Sequence, residues 1–441
     1  MHDTPSPGDR RDAVCVVGAG ASGLTAIKNL RELGFAVDCY ERETGVGGAW
    51  NWRHDRSPVY ASTHLISSRP LTEFPDFPMP DSWPDYPHHS QVLSYLERYA
   101  KHFGLTEHIW FGMEVVSAVP VEGGRWDVTT RSTGGGSSRT QQYAAVVVAN
   151  GHNWSPLKPE IPGEFRGQVM HAGAYKDPAK LRGRKVLVVG GGNTGCDIAV
   201  EAAQQAAEVW HSTRRGYWYA PKYVFGRPAD QVSDRLLKWR LPLWLRQRLY
   251  RRFVPDLTRH GLPEPDHRPY ESHPVVNSLL PYYLGHGRIR PVPDVVRFDG
   301  AAVELADGRR VEPDLVITAT GYRPRFDFLA PELLDAGEDG RPDLHLHAFA
   351  RKNPTLAVIG LLQPDSGVLP LAHWQSVAVA RWLRLRMTDP ERAAAVQQKE
   401  SARPLASWSR RRVVPGSRHW FEVDHVDYLR ALSGLLKQME S

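Results

Sequence analysis

The chain has 441 residues, 41% of them hydrophobic and 24% charged, which is typical of a soluble globular protein with two or three sizeable cores. The 55 Lys and Arg against 49 Asp and Glu give a formal net charge of only +6, which favours a slightly basic solvated surface over nucleic-acid binding. No run approaches the ~20 apolar residues of a membrane span, and residues 1–10 lack an apolar signal core, so we predict a disordered lead and a cytoplasmic protein without an integral membrane segment.

The first nucleotide-binding pattern begins with the apolar run 13–17, which predicts a buried parallel strand. Gly18, Gly20 and Gly23 follow in a G-x-G-x-x-G loop, where glycines allow a tight turn, close approach of a pyrophosphate and helix packing. Ser22 stands at the start of the next helix, where backbone N–H groups and the helix dipole favour phosphate. The pattern therefore predicts a dinucleotide site.

The next predicted strand, 36–40, ends at Glu41 and Arg42. An acid at this strand end accepts hydrogen bonds from a ribose diol and repels a 2′-phosphate, so Glu41 favours FAD or NAD over NADP. The residues that follow form the pattern E-R-x-x-x-x-G-G-x-W, which contains Gly48 and Trp50.

A second glycine loop follows the apolar run 185–189, and its cofactor-binding positions are predicted to be Gly190, Gly192, Asn193, Thr194 and Gly195. The strand after it, 208–211, leads into Ser212, Thr213, Arg214 and Arg215, with no carboxylate. Hydroxyls and guanidinium groups suit a 2′-phosphate, because arginine matches phosphate oxygens with two parallel hydrogen bonds. The contrast with Glu41 predicts FAD at the first loop and NADPH at the second.

Between the two loops, Phe165, Gly167, His171, Tyr175 and Lys176 spell F-x-G-x-x-x-H-x-x-x-Y-K, which resembles the fingerprint of the flavin-containing monooxygenases. The E-R-x-x-x-x-G-G-x-W pattern resembles the FAD-binding turn of the same family, and the likeness extends over nearly the whole chain. By resemblance, His171 and Tyr175 have a structural role rather than a role in proton transfer.

The resemblance implies an α/β fold with two Rossmann-like dinucleotide-binding domains, the NADPH domain inserted into a discontinuous FAD domain. We assign 1–165 and 290–441 to the FAD domain and 166–289, with a helical insertion, to the NADPH domain. The resemblance further implies that Val116 holds the adenine by its backbone groups and that Gln363 and Gln375 contact the isoalloxazine ring.

One position departs from the family pattern. Members that oxygenate amines usually carry an asparagine close to the flavin, and Ile66 stands at that position in this chain. That asparagine orients the nicotinamide and stabilises the oxygenated flavin in the family, so Ile66 bears on the substrate range and on the lifetime of the intermediate. No other catalytic residue is identified, because the sequence assigns the chemistry to the flavin.

The implied activity is an NADPH- and O₂-dependent monooxygenation in which a C4a-(hydro)peroxyflavin passes one oxygen atom to an amine nitrogen or a sulfide sulfur. The implied partners are O₂ and a small-molecule substrate. A homodimer is also compatible with the resemblance. No metal ligand set is predicted. The three cysteines include no C-x-x-C pair, which argues against the thiol relay of disulfide reductases.

Three alternatives stay open at this point. A Baeyer–Villiger enzyme would carry Trp-Pro where this chain has Tyr175 and Lys176. Ile66 leaves room for an NADPH oxidase or an amine-oxidising flavoenzyme that inserts no oxygen, and intact cofactor loops also fit an NADP-sensing flavoprotein without turnover. The basic, aromatic stretch 235–253 is either a helical insertion that packs by its Leu and Trp side chains or a membrane-surface contact.

Overall fold

The computed structural model describes residues 10–238, 241–334, 341–401 and 420–440. The predicted disorder of the first ten residues concerns, apart from Arg10, a segment outside these ranges. The basic stretch predicted to be helical lies partly outside them, and its described part is helical.

The strands are β1 Val14–Val17, β2 Val37–Glu41, β3 Ile109–Phe111, β4 Met113–Val121, β5 Arg125–Ser132, β6 Arg139–Tyr143, β7 Ala145–Val148, β8 Gln168–His171, β9 Lys185–Val189, β10 Glu208–Ser212, β11 Tyr219–Ala220, β12 Tyr223–Val224, β13 Arg227–Pro228, β14 Val275–Val276, β15 Arg290–Val292, β16 Val295–Asp299, β17 Ala302–Leu305, β18 Arg310–Val311, β19 Leu315–Thr318, β20 Leu344–His345, β21 Phe349–Ala350, β22 Leu356–Val358, β23 Gln363–Pro364 and β24 Glu422–Val423. The helices are α1 Ala21–Glu32, α2 Arg69–Thr72, α3 His89–His102, α4 Asn193–Gln205, α5 Ala229–Lys238, α6 Leu243–Phe253, α7 Leu280–Gly285, α8 Pro331–Leu334, α9 Val368–Thr388, α10 Pro390–Ser401 and α11 His425–Glu440.

Residue contacts divide the chain into two units, and unit 1 comprises Met1–His54, Arg69–His152 and Pro324–Ser441. Its main sheet has the order β20-β21-β22-β7-β1-β2-β3, in which the strands from β22 to β3 run parallel. Every residue of β1 and β7 is buried, because apolar side chains on both faces of a parallel strand are covered by other elements. Strands β4, β5 and β6 form a separate antiparallel sheet in the same unit.

Unit 2 comprises Asp55–Ser68 and Asn153–Arg323. Its main sheet is parallel throughout, with the order β15-β10-β9-β19-β8. Each unit therefore has a parallel sheet in which a glycine loop follows a buried strand and leads into a helix, as expected for two Rossmann-like domains.

The units differ from the assigned domain bounds at three places. Residues 153–165 were assigned to the FAD domain but lie in unit 2. Residues 290–323 were assigned to the FAD domain, but they lie in unit 2 because β15 pairs with β10 and β19 pairs with both β8 and β9. Residues 55–68 were also assigned to the FAD domain, and they too lie in unit 2. Contacts between segments that are distant in the sequence decide these assignments. The local sequence pattern contains no sign of such contacts.

Candidate functional site: two dinucleotide loops

The turn between β1 and α1 requires glycine at two positions. Gly18 has a φ of +101°, and a β carbon on it would lie 2.7 Å from the carbonyl oxygen of Ala149. A β carbon on Gly23 would lie 1.8 Å from the carbonyl oxygen of Gly18. Helix α1 begins directly after Gly20, and no side chain among the described residues caps it, so its first N–H groups are available to a phosphate.

The FAD-binding turn predicted from the E-R-x-x-x-x-G-G-x-W pattern lies against this loop. A β carbon on Gly48 would stand 2.9 Å from the Cα atom of Gly20, so the two backbones approach closely. Gly48 and Trp50 form a short 3₁₀ turn, in which Trp50 is half-buried. The structure thus brings these two parts of the predicted FAD site together.

Glu41 lies at the end of β2, beside the loop. Its Oε2 atom accepts a hydrogen bond from the N–H of Ala19 at 2.7 Å, and its Oε1 atom accepts one from the N–H of Glu43 at 2.9 Å. Burial raises the pKa of this carboxyl, while the two backbone donors oppose the shift. Arg42 forms a 3.0 Å ion pair with Glu114, which ties the strand end to the start of β4.

Val116 lies in a β-bulge. The ladder of β4 and β5 pairs Val115 with Thr130 and Ser117 with Thr129, so Val116 is the extra residue between the two pairs. A bulge removes the backbone groups of its extra residue from the regular ladder, which suits the predicted contact between this backbone and an adenine.

The two predicted isoalloxazine contacts lie in different surroundings. Gln375 is fully buried; its Oε1 atom accepts the N–H of Gly360 at 2.9 Å and its Nε2 atom donates to the hydroxyl of Tyr428 at 2.6 Å. Because both ends of the amide are bonded inside the protein, Gln375 supports the segment around Gly360 and does not present its side chain to a ligand. Gln363 is half-buried in the short strand β23, and its contact with the isoalloxazine ring stays a prediction.

The second loop repeats the geometry of the first. Gly190 has a φ of +128°, and a β carbon on it would lie 2.3 Å from the carbonyl oxygen of Ala319. A β carbon on Gly195 would lie 1.9 Å from the carbonyl oxygen of Gly190. Helix α4 begins after Gly192 and, in the described chain, also has no side-chain cap. Ala319 is the first residue of the A-T-G stretch that follows β19.

The first turns of α4 carry polar side chains that bind within unit 2. The Oδ1 atom of Asn193 accepts the N–H of Val276 at 2.8 Å, so this side chain holds β14, while Thr194 lies half-buried beside it. Asp197, which the sequence prediction missed, accepts hydrogen bonds from Asn277 Nδ2 at 2.7 Å and from the Tyr60 hydroxyl at 3.3 Å. Burial raises its pKa to about 6. An acid two residues after the last glycine of the loop was the available signal.

The four residues predicted to bind the 2′-phosphate are not equivalent. Ser212 is buried and its hydroxyl donates to the carbonyl of Pro293 at 2.8 Å, whereas the buried hydroxyl of Thr213 has no hydrogen-bond partner among the described residues. Arg214 is exposed, and Arg215 forms an ion pair with Asp266. An orphaned hydroxyl beside an exposed guanidinium fits a phosphate-bearing cofactor, because both are donors that need an acceptor.

Each residue of the fingerprint between the loops has a partner inside unit 2. Phe165 stacks on Phe298 with ring centroids 5.2 Å apart. Nδ1 of His171 accepts the N–H of Gly173 at 3.0 Å, so Nε2 carries the proton and donates to the carbonyl of Gly321 at 3.1 Å. Burial lowers the pKa of His171, in keeping with this neutral form. These contacts agree with the structural role expected for the histidine.

The last two fingerprint residues hold helix α4 and the segment 55–68. The hydroxyl of Tyr175 donates to Glu201 at 2.6 Å. The ammonium of Lys176 donates to the carbonyls of Ser57 and of Val59, the latter at 3.0 Å. The segment that contains Ile66 is therefore fixed within unit 2, where Ile66 itself is partly exposed.

No group of three or more His, Cys, Asp or Glu side chains among the described residues is arranged to hold a metal ion. None of the helices that the structure describes has the length and apolar character needed to span a membrane.

Comparison with known proteins gives consistent matches over nearly the whole chain. The family model described as flavin-binding monooxygenase-like matches residues 11–438. Flavin-containing monooxygenase 5 of Oryctolagus cuniculus is 33% identical over 96% of this chain and 82% of its own length. Dimethylaniline monooxygenase [N-oxide-forming] 2 of Mus musculus is 34% identical over 84% of this chain and 72% of its own length. The solved structure of cyclohexanone monooxygenase from Rhodococcus sp. Phi1 bound to NADP+ has a TM-score of 0.67, 18% identity and 98% coverage of both chains.

Proposed function

The chain belongs to the flavin-binding monooxygenase-like family, whose members use FAD and NADPH, and on that premise we propose that it transfers one oxygen atom from O₂ to an amine nitrogen or a sulfide sulfur of a small molecule. The observation that carries the proposal is the chemical contrast between two loops of the same geometry. Glu41 follows the first loop, whereas Thr213 and Arg214 follow the second.

This contrast supports a different cofactor for each unit. The carboxylate of Glu41 suits a ribose diol and repels a 2′-phosphate, so unit 1 would hold FAD. The unpaired hydroxyl of Thr213 and the exposed guanidinium of Arg214 suit the 2′-phosphate of NADPH, so unit 2 would hold NADPH. The open N-termini of α1 and α4 would each bind a pyrophosphate.

The cofactor supplies the redox chemistry: FAD reduced by NADPH activates O₂. The role of the protein is to bind the two dinucleotides, to orient them and to keep water away from the reacting atoms.

A nitrogen or sulfur substrate is supported over a ketone by two observations. The relative from Mus musculus is named as N-oxide-forming, and it is 34% identical to this chain. The fingerprint ends in Tyr175 and Lys176, whose side chains bond Glu201 and two carbonyls of the segment 55–68. The Trp-Pro pair of Baeyer–Villiger enzymes offers neither a hydroxyl nor an ammonium for these bonds.

Ile66 favours a second candidate, an NADPH oxidase that inserts no oxygen. An isoleucine has no hydrogen-bonding group with which to replace the usual amide. Without that amide, oxygen activated on the flavin would be released as hydrogen peroxide before it reached a substrate.

A cytoplasmic location and a homodimer remain predictions from the sequence.

Turnover under ¹⁸O₂ separates the candidates. The FAD-loaded protein is supplied with NADPH and, in separate reactions, with a tertiary amine, a thioether and a cyclic ketone, and products are analysed by mass spectrometry. One ¹⁸O atom in an N-oxide or a sulfoxide is the expected result. Label found only in a lactone would establish Baeyer–Villiger oxygenation, and hydrogen peroxide equal to the NADPH consumed, with no labelled product, would establish an oxidase. Failure of NADPH to reduce the flavin would refute all three.

A further inference from the structure

The loop 264–267 packs against residues 216–218, which follow strand β10. Gly216 forms a β-bridge with Pro265, and a β carbon on Gly216 would lie 1.9 Å from the carbonyl oxygen of Glu264. The indole Nε1 atom of Trp218 donates to the carbonyl of His267 at 2.9 Å. The backbone therefore fixes Asp266 beside Arg215.

Asp266 binds Arg215 through two parallel hydrogen bonds. Nε of Arg215 lies 2.7 Å from Oδ2, and Nη2 lies 3.1 Å from Oδ1. The imidazole Nδ1 atom of His267 lies 2.8 Å from the same Oδ1 atom. The hydrogen bonds from Arg215 lower the pKa of Asp266 to about 2, so this carboxylate is ionised at neutral pH. The Arg215–Asp266 pair consequently carries no net charge.

Arg214 differs from Arg215 in its exposure and in its ion pairing. It is exposed, and no ion pair of Arg214 is found in the described chain. Of the two guanidinium groups at this strand end, only that of Arg214 adds an uncompensated positive charge beside the hydroxyl of Thr213.

We propose that Asp266 is a specificity-determining residue for the nicotinamide cofactor. By pairing with Arg215, it keeps the positive charge available to a 2′-phosphate close to that of one arginine. The preference for NADPH over NADH is then smaller than two free arginines would give, because the phosphate also faces the nearby Asp266 carboxylate. The proposal rests on the proposed position of the 2′-phosphate at Thr213 and Arg214.

The test measures KM for NADPH and for NADH in the Asp266→Asn, Arg215→Ala, Arg214→Ala and Asp266→Asn/Arg215→Ala variants. NADH serves as an internal control for folding, because it lacks the 2′-phosphate. Asp307→Asn is the matched control, since Asp307 also pairs with an arginine, Arg309, on the surface of unit 2. Ionic strength is varied from low to physiological, because charge effects at exposed groups weaken with salt.

In Asp266→Asn we expect KM for NADPH to fall by about 2- to 5-fold at low salt, the scale of one partly exposed charge interaction. KM for NADH should change by less than about twofold, and removal of Arg215 in the double variant should abolish the gain. A KM for NADPH that rises or stays constant in Asp266→Asn would overturn the inference. If Arg214→Ala leaves KM for NADPH unchanged, the proposed phosphate position fails instead.

Discussion

A β carbon on Gly195 would lie 1.9 Å from the carbonyl oxygen of Gly190, far inside van der Waals contact. The corresponding distance from Gly23 to the carbonyl oxygen of Gly18 is 1.8 Å. In both units the third glycine of the loop thus brings its helix against the end of the preceding strand. In both units this glycine also lies close to an alanine directly after a neighbouring strand, Ala149 after β7 and Ala319 after β19.

Replacement of Gly195 by alanine should displace α4 from the loop. The contact is with backbone, which does not yield as a side chain would, so we expect a loss of about 1–3 kcal/mol in the free energy of unfolding. Because the N–H groups of α4 would move, KM for NADPH should rise by at least about tenfold. Thermal unfolding and the rate of flavin reduction at several NADPH concentrations measure the two effects.

Gly434 provides the control for this substitution. It lies within α11, and a β carbon there would meet no atom within 4 Å. Alanine at 434 should therefore leave cofactor binding unchanged and raise stability by up to about 1 kcal/mol, because alanine favours helix. Equal losses of stability in both variants would contradict the steric account of Gly195.

The two loops could be predicted from the sequence because the signals are local. An apolar strand, a glycine loop and a helix follow one another directly, and Glu41 and Arg214 lie at the strand ends where the pattern places them. Contacts between distant segments could not be predicted. Asp266 lies 51 positions from Arg215, and no spacing rule joins them. Gln375 was expected at the flavin, yet tertiary packing turns its amide towards Gly360 and Tyr428.

The buried carboxyl of Asp197 should make stability depend on pH. Burial raises its pKa from the ordinary 3.8 to about 6, so the folded protein binds this proton more tightly than the unfolded chain does. Its contribution is therefore fully present below about pH 4, where the unfolded chain also binds the proton, and is lost as the pH rises through about 6. The shift corresponds to a loss on the order of 3 kcal/mol, at ~1.4 kcal/mol per pKa unit.

Asp197→Asn tests this assignment. An asparagine keeps the size of the side chain, and its amide can donate to the Tyr60 hydroxyl, which now donates to Asp197. The variant should match the wild type in Tm near pH 4 and exceed it at pH 8, where the wild type carries a buried charge. Tm curves that run parallel from pH 5 to pH 8 would show that Asp197 does not titrate in this range.

The ammonium of Lys176 should be essential to the position of the segment 55–68. It donates to the carbonyls of Ser57 and Val59, and methionine at 176 would leave both without this donor. Such a loss costs about 1–3 kcal/mol for each buried group. We expect Lys176→Met to lower the Tm and to speed proteolytic cleavage within 55–68. Lys180→Met is the control, because Lys180 is exposed in the 3₁₀ turn that follows, and it should do neither. Equal behaviour of the two variants would refute the role of Lys176.

Ile66 should limit how much of the NADPH consumed yields oxygenated product. Amine-oxygenating members of the family usually carry an asparagine at the position of Ile66, and Ile66 is partly exposed in a segment fixed by Lys176, so an amide of similar size fits there without entering a core. By the same resemblance, Ile66→Asn would restore the amide that stabilises the oxygenated flavin in those members, and we expect hydrogen peroxide per NADPH to fall at least about twofold. Rapid mixing of the NADPH-reduced protein with O₂ should show a longer lag before the absorbance of oxidised flavin returns. Ile66→Leu, which changes shape without adding polarity, should leave both quantities unchanged. If the leucine variant matches the asparagine variant, packing and not hydrogen bonding controls the release of peroxide.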